Sequence, residues 1–231
     1  MESSSRTLVC SVLFLDIVEY SRKPVSEQLQ LKQEFNRVLG NALDQVPARD
    51  RIILDTGDGA AVTFMGDPED ALFAAMAMRD SAGALAVRLG VNLGPVRLVK
   101  DLNGQMNIIG DGINVAQRVM SFARPGQLLV SRSFYEVVSC LSSDYKSLFG
   151  YVGARTDKHV REHEVYVVGK GRPPVREREP DAPKPHRPLL AALAAPGPFG
   201  LRRLTFVLAP LIFLSIVGAA ARVQQQREAQ R

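Results

Sequence analysis

The chain has 231 residues, 29 Lys plus Arg against 24 Asp plus Glu, a formal net charge of +5, 46% apolar residues, 14 prolines and two cysteines. Residues 171–203 hold seven Lys or Arg against three acids, and residues 222–231 three against one, so the first 170 residues carry a net −1. That leaves a basic nucleic-acid-binding face on the folded part without compositional support, and two cysteines outside any C-x-x-C or Cys/His cluster are too few and too far apart to suggest a disulfide framework.

No signal peptide is read at the start, because the first seven residues are polar and the apolar run that follows meets Asp16 at once. That run, LVCSVLFL at residues 8–15, is continuous and β-branched, as a central strand buried on both faces requires. Residues 26–46 predict a helix, with Ser26 as N-cap and Leu29, Phe35, Val38, Leu39, Ala42, Leu43 and Val46 at helical spacing. Residues 51–55 and 60–65 are short strands joined by the glycine-bracketed turn Thr56-Gly57-Asp58-Gly59. Asp67-Pro68-Glu69 opens a second helix running to about residue 82, with Asp67 as N-cap and Pro68 in first position. Strands over 87–99 and 105–109 flank a turn at Asp101-Leu102-Asn103-Gly104, and a helix covers 111–122. A strand at 128–131, a helix at 133–141 and strands near 148–153 and 164–168 complete the domain. The order β-α-β-β-α-β with C-terminal additions predicts an α+β sandwich on a ferredoxin-like core.

Beyond residue 170 the composition changes, since eight of the 14 prolines fall within 171–203. Such a segment buries too little apolar surface to fold and reads as a semi-extended Pro/Arg-rich linker. Residues 204–221 (LTFVLAPLIFLSIVGAAA) are free of charge and would span ~27 Å as a helix, enough for a thin hydrocarbon core. Arg202 and Arg203 precede them, which favours their N-terminal side inside, and a short polar tail, 222–231, follows. The expected organisation is a domain over 1–170, a linker, one transmembrane helix and a tail. It places the protein in the cell membrane as a single-pass protein with a cytoplasmic domain.

Two acids stand out. Asp16 closes an otherwise apolar strand, where a carboxylate is costly without a cation beside it, and Asp58 sits at the tip of the hairpin. If the first strand pairs beside that hairpin the two converge, and a pair of carboxylates suits Mg²⁺, which completes its shell with water and substrate phosphate. Asn114 and Arg118 stand i, i+4 on one helix face.

The words LFLDIVEYS, LDTGDGAAVTF, RLGVNLGPV and IIGDGINVAQRVMSFARPGQLLVS, in this order, resemble the catalytic domain of the class III nucleotidyl (adenylyl and guanylyl) cyclases over roughly residues 8–168. The signature G-D-x-[IV]-N-x-A-x-R lies at 110–118. The resemblance implies that Asp16, Asp58 and the backbone carbonyl of Ile17 hold two Mg²⁺ or Mn²⁺ ions. It also implies that Asn114 orients the ribose and Arg118 stabilises charge on the phosphate. The substrate would be a nucleoside triphosphate, ATP being the commoner one in the family, and the active site would form between two chains of a homodimer. The turn at 101–104 is a place for an arm that reaches the partner.

At the base-reading positions of the family stand Leu54 and Asn107, a pair that matches neither the ATP nor the GTP set. Lys158 corresponds to the lysine that binds the triphosphate tail, with Arg161 as substitute. His159 and His163 are four apart, but in a loop entering a strand with no third ligand nearby. The intact Asp16, Asp58, Asn114 and Arg118 favour an enzyme. Leu54 and Asn107 favour the alternative, a cyclase-like domain that binds a nucleotide or partner without efficient turnover.

Overall fold

The computed structural model describes residues 6–170; the linker, membrane-helix and tail readings lie outside the described residues. In chain order the elements are β1 (Thr7–Ile17), α1 (Val25–Ala42), β2 (Arg51–Asp55), β3 (Gly59–Phe64), α2 (Pro68–Ser81), β4 (Val87–Lys100) and β5 (Met106–Ile109). There follow α3 (Asp111–Ser121), β6 (Leu128–Ser131), α4 (Arg132–Ser139), α5 (Ser143–Leu148), β7 (Phe149–Thr156) and β8 (Glu162–Val168). The strands form one sheet in the order β2-β3-β1-β4-β6-β8-β7, with β5 paired to the far end of β4. The part β2-β3-β1-β4 is antiparallel throughout and is the ferredoxin-like core that the element order predicts. No helix of the described residues is long and apolar enough to cross a membrane.

β1 is central, and its continuous apolar run is explained by burial on both faces. Leu13, Leu15 and Ile17 pack with Phe35 and Leu39 of α1, Leu72 and Met76 of α2 and Phe134 of α4. Cys10, Val12 and Phe14 point the other way, into a layer with Ala116 and Met120 of α3. Alternation therefore carries Asp16 to the α3 side of the sheet, and Leu54 of β2 packs on that side too.

Three local expectations are corrected. Ser26 does not cap α1: the chain is still extended at Pro24, whose carbonyl accepts from the Gln28 N–H, so Ser26 already lies inside the first turn. Leu29 is 59% exposed, because the apolar stripe runs through Leu31, Phe35, Val38 and Leu39; Leu43 and Val46 reach the core from the turn after the helix ends at Ala42. Residues 143–148, which carry no expected element, form α5, capped by the Ser142 hydroxyl accepting from the Asp144 N–H. Asp67 caps α2 as expected, accepting from the Glu69 N–H at 2.9 Å.

Candidate active site

The first half of the site lies where β1 ends beside the β2–β3 hairpin. Asp16 stands opposite Gly59 on one side and Arg88 on the other, and the Ile17 N–H donates to the Asp58 carbonyl at 2.9 Å. The closeness depends on glycine at 59: a Cβ there would sit 2.0 Å from the Leu15 carbonyl oxygen and 2.8 Å from the Asp16 Cα, so no larger residue lets the hairpin lie this near β1.

Asp16 is nearly buried, and it accepts from Arg88 Nε at 3.0 Å and Nη2 at 2.5 Å, a two-pronged pair of the strongest kind. The hydrogen bond to Asp16 is the chief cause that pushes the Arg88 pKa up, and the charges of both Asp16 and Asp58 add to it. A cation therefore already sits beside Asp16, the partner that a buried acid at the end of β1 requires.

These residues suit Mg²⁺ or Mn²⁺. The donors are two hard carboxylates, and the Ile17 carbonyl leaves the ladder on the same side as its N–H, toward Asp58. Among the described residues no group of three or more His, Cys, Asp or Glu could form a complete protein cage. A two-carboxylate set is what an ion that keeps waters and substrate phosphate in its shell uses.

The second half is built on α3. Gly112 lets its first turn press against β4: a Cβ there would lie 2.8 Å from Val96 Cγ1 and 2.9 Å from the Pro95 carbonyl oxygen. Asn92 of β4 fixes the contact by donating to the Gly112 carbonyl at 2.9 Å. Asn114 and Arg118 then face a cavity of about 310 Å³ closed by the β7–β8 turn, with Asp157, His159, Arg161 and His163 on its far wall. Asp16, Asp58 and Ile17 do not line it. One chain thus holds the aspartates at the end of β1 and the Asn/Arg pair in a separate cavity.

Residues 69–170 match the family model of the adenylate and guanylate cyclase catalytic domain. Over those residues the chain is similar to the catalytic domain of the class III nucleotidyl cyclases. A Rhizobium meliloti (strain 1021) protein carrying an adenylate cyclase designation is 28% identical over 149 residues, which are 59% of this chain and 24% of that relative, so the match spans about a quarter of the relative's length. The fold is that of the solved adenylyl cyclase CyaB from P. aeruginosa (TM-score 0.60, 19% identity, 74% of this chain and 98% of that one). The adenylate/guanylate cyclase/hydrolase from Silicibacter pomeroyi gives a TM-score of 0.58 at 22% identity, covering 72% and 99%. The guanylate cyclase domain of RhGC from Catenaria anguillulae, solved in complex with GTP, gives 0.56 at 19% identity, covering 71% and 98%.

The remaining expected residues are dispersed. Leu54 is half-buried against the apolar layer under α3. Asn107 sits on β5 opposite Val99, and its Oδ1 accepts from the Ile108 N–H at 2.6 Å. Asp55, next to Leu54, faces α1 instead, accepting from Lys32 Nζ at 2.9 Å, which holds its carboxyl below the usual range against the opposing effect of burial. Lys158 is exposed in the β7–β8 turn. Arg161 is turned to Asp111, with Nη1 2.9 Å from both carboxylate oxygens. His159 lies 3.4 Å from Arg118 Nη2, and His163 pairs with Asp157 at 3.0 Å. Sequence reasoning asks for a cation beside Asp16 without finding Arg88, and it misses Asp157 altogether. The arginine in RLGVNLGPV is the available signal for Arg88, since β4 must pair with β1.

Proposed function

We propose that this protein is a membrane-anchored nucleotidyl cyclase that converts a nucleoside triphosphate, ATP in the first instance, into its 3′,5′-cyclic nucleotide and pyrophosphate. The observation that carries the reading is the pairing of Asp16 with Arg88 beside the Asp58 hairpin, with Asn114 and Arg118 in a cavity elsewhere on the same chain. Two carboxylates and an Asn/Arg pair that a single chain keeps apart become one site when a second copy faces the first. The reaction is attack of the ribose 3′-oxygen on the α-phosphorus. The bond from that phosphorus to the bridging oxygen of the β-phosphate breaks, pyrophosphate leaves, and the hydroxyl proton passes to solvent. Mg²⁺ or Mn²⁺ held by Asp16, Asp58 and the Ile17 carbonyl would lower the pKa of the hydroxyl and neutralise charge on the attacking and leaving oxygens. Arg118 supplies positive charge to the phosphate oxygens as they gain negative charge, and Asn114 orients the ribose from the same helix face.

Purified full-length protein given Mn²⁺ or Mg²⁺ and either ATP or GTP should release a cyclic product detectable by mass spectrometry. The second reading, a nucleotide-binding module without turnover, draws on Leu54 and Asn107. Leucine offers no hydrogen bond to a base, and the Asn107 acceptor is already committed to its neighbour's amide, so selection between bases is weak. Nucleotide binding by a dimeric protein that yields no product from either base would favour that reading.

The anchor is proposed from residues 204–221. Full-length protein is expected in the membrane pellet after high-speed centrifugation, and a chain ending at Arg187 in the supernatant. Equal distribution of the two removes the anchor.

A further inference from the structure

The β7–β8 turn carries an acid that the reaction scheme above does not use. Asp157 is almost inaccessible, with 6% of its side-chain surface exposed, and its two oxygens do different work. Oδ1 closes the turn, accepting from the backbone N–H groups of His159 at 2.8 Å and Arg161 at 3.0 Å. Oδ2 faces inward, 3.0 Å from His163 Nε2 and 3.8 Å from Arg118 Nε. The latter is an ion pair rather than a hydrogen bond. His163 is itself buried, with its ring against Phe122 at 6.0 Å between centroids. Arg161, the other cation of the turn, is engaged by Asp111 and does not compete for Oδ2. The hydrogen bond from His163, with the two turn amides, holds the Asp157 carboxyl at about 2 despite the opposing effect of desolvation, so it stays charged at any assay pH.

We propose that Asp157 is a positioning residue for Arg118: through Oδ2 it holds the guanidinium by its Nε edge, while His159 meets Nη2 at 3.4 Å and Nη1 is left to meet the phosphate. This rests on the reading of Arg118 as the cation that stabilises the transferring phosphorus. An arginine side chain has many rotamers to lose, and a guanidinium fixed before substrate arrives loses fewer. Because His163 and two amides share the carboxylate, Asp157 fixes Arg118 without cancelling its charge. A turn-forming aspartate needs only Oδ1, and an exposed turn would leave the second oxygen in water; here it is buried and aimed at Arg118 and His163.

Asp157→Asn separates the two roles. Its amide oxygen still accepts the two turn N–H groups, while an NH₂ replaces the oxygen that faces Arg118 and His163. In full-length protein assayed with Mn²⁺ and ATP or GTP, Asp157→Asn is expected to lower kcat about tenfold with KM changed less than about threefold. Dimerisation should follow the unsubstituted protein, and the melting temperature should fall by a few degrees because buried His163 loses its carboxylate acceptor. Added to Arg118→Lys, which has no Nε edge to hold, it should cost less than about twofold more. An unchanged kcat, a loss carried by KM, or losses that multiply in the double variant would overturn the proposal. A second measurement does not depend on turnover: the Arg118 Nε–Hε order parameter by NMR, assigned by its absence in Arg118→Lys, should fall in Asp157→Asn. An order parameter that stays put overturns the proposal even in an active enzyme. A fall in a protein that makes no cyclic product upholds the tether and removes the cyclase reading instead.

Discussion

A chain with Asp58 replaced by alanine is expected to make no measurable cyclic product from ATP or GTP, a loss of roughly 10³-fold or more if the carboxylate holds catalytic metal, and to keep its fold. The reason for expecting both lies in what Asp58 does in the hairpin. Its side chain is exposed, while the contact that holds the hairpin against β1 is the bond from the Ile17 N–H to its backbone carbonyl, which alanine retains. Surface substitutions of this kind shift stability by about 0.5 kcal/mol or less. Circular dichroism and thermal melting should therefore superpose on the unsubstituted protein while activity vanishes. Asp16→Ala should abolish activity too, but it strips a nearly buried acceptor from Arg88, and leaving that group without its partner costs about 1–3 kcal/mol. Asp58 is thus the cleaner test of the metal role. Retained activity in Asp58→Ala would show that the exposed carboxylate is a turn residue and nothing more.

The contrast between Asp16 and Arg88 shows what the chain discloses along its length and what it does not. An acid at the end of a run buried on both faces is conspicuous, because only a cation or a metal makes it tolerable. Its partner is 72 residues away, and nothing local in RLGVNLGPV marks the arginine as belonging to Asp16. Only the register that sets Asp16 opposite Arg88 across β1 and β4 brings them together. The hairpin was legible because Gly57 and Gly59 bracket a turn. Asp157 reads as one polar residue in a polar turn, and it matters only because β8 places His163 behind it and α3 places Arg118 before it. The start of α1 was misread for a local reason: Pro24 hands its carbonyl to the first turn, ahead of the serine that resembles a cap. The two-sided burial of β1 followed directly from its continuous apolar run.

Mixing an Asp58→Ala chain with an Arg118→Ala chain should restore activity that neither has alone. The expectation follows from where one chain places its functional groups: the cavity lined by Asn114 and Arg118 is lined by neither Asp16 nor Asp58. In a two-fold dimer each site would take its aspartates from one protomer and its Asn/Arg pair from the other. A homodimer of either variant has two defective sites. A mixed dimer has one site with both defects and one with none, formed by the aspartates of the Arg118→Ala chain and the helix of the Asp58→Ala chain. Random exchange makes half of the dimers mixed, so the mixture should recover about a quarter of the unsubstituted activity. Separately, Arg118→Ala should lose on the order of 10²–10³-fold. Co-expression, rather than mixing after purification, guards against slow subunit exchange. No recovery from co-expressed chains shown to form mixed dimers would mean that a single chain completes its own site. The β7–β8 turn would then have to open far enough for one protomer's aspartates and arginine to share a substrate.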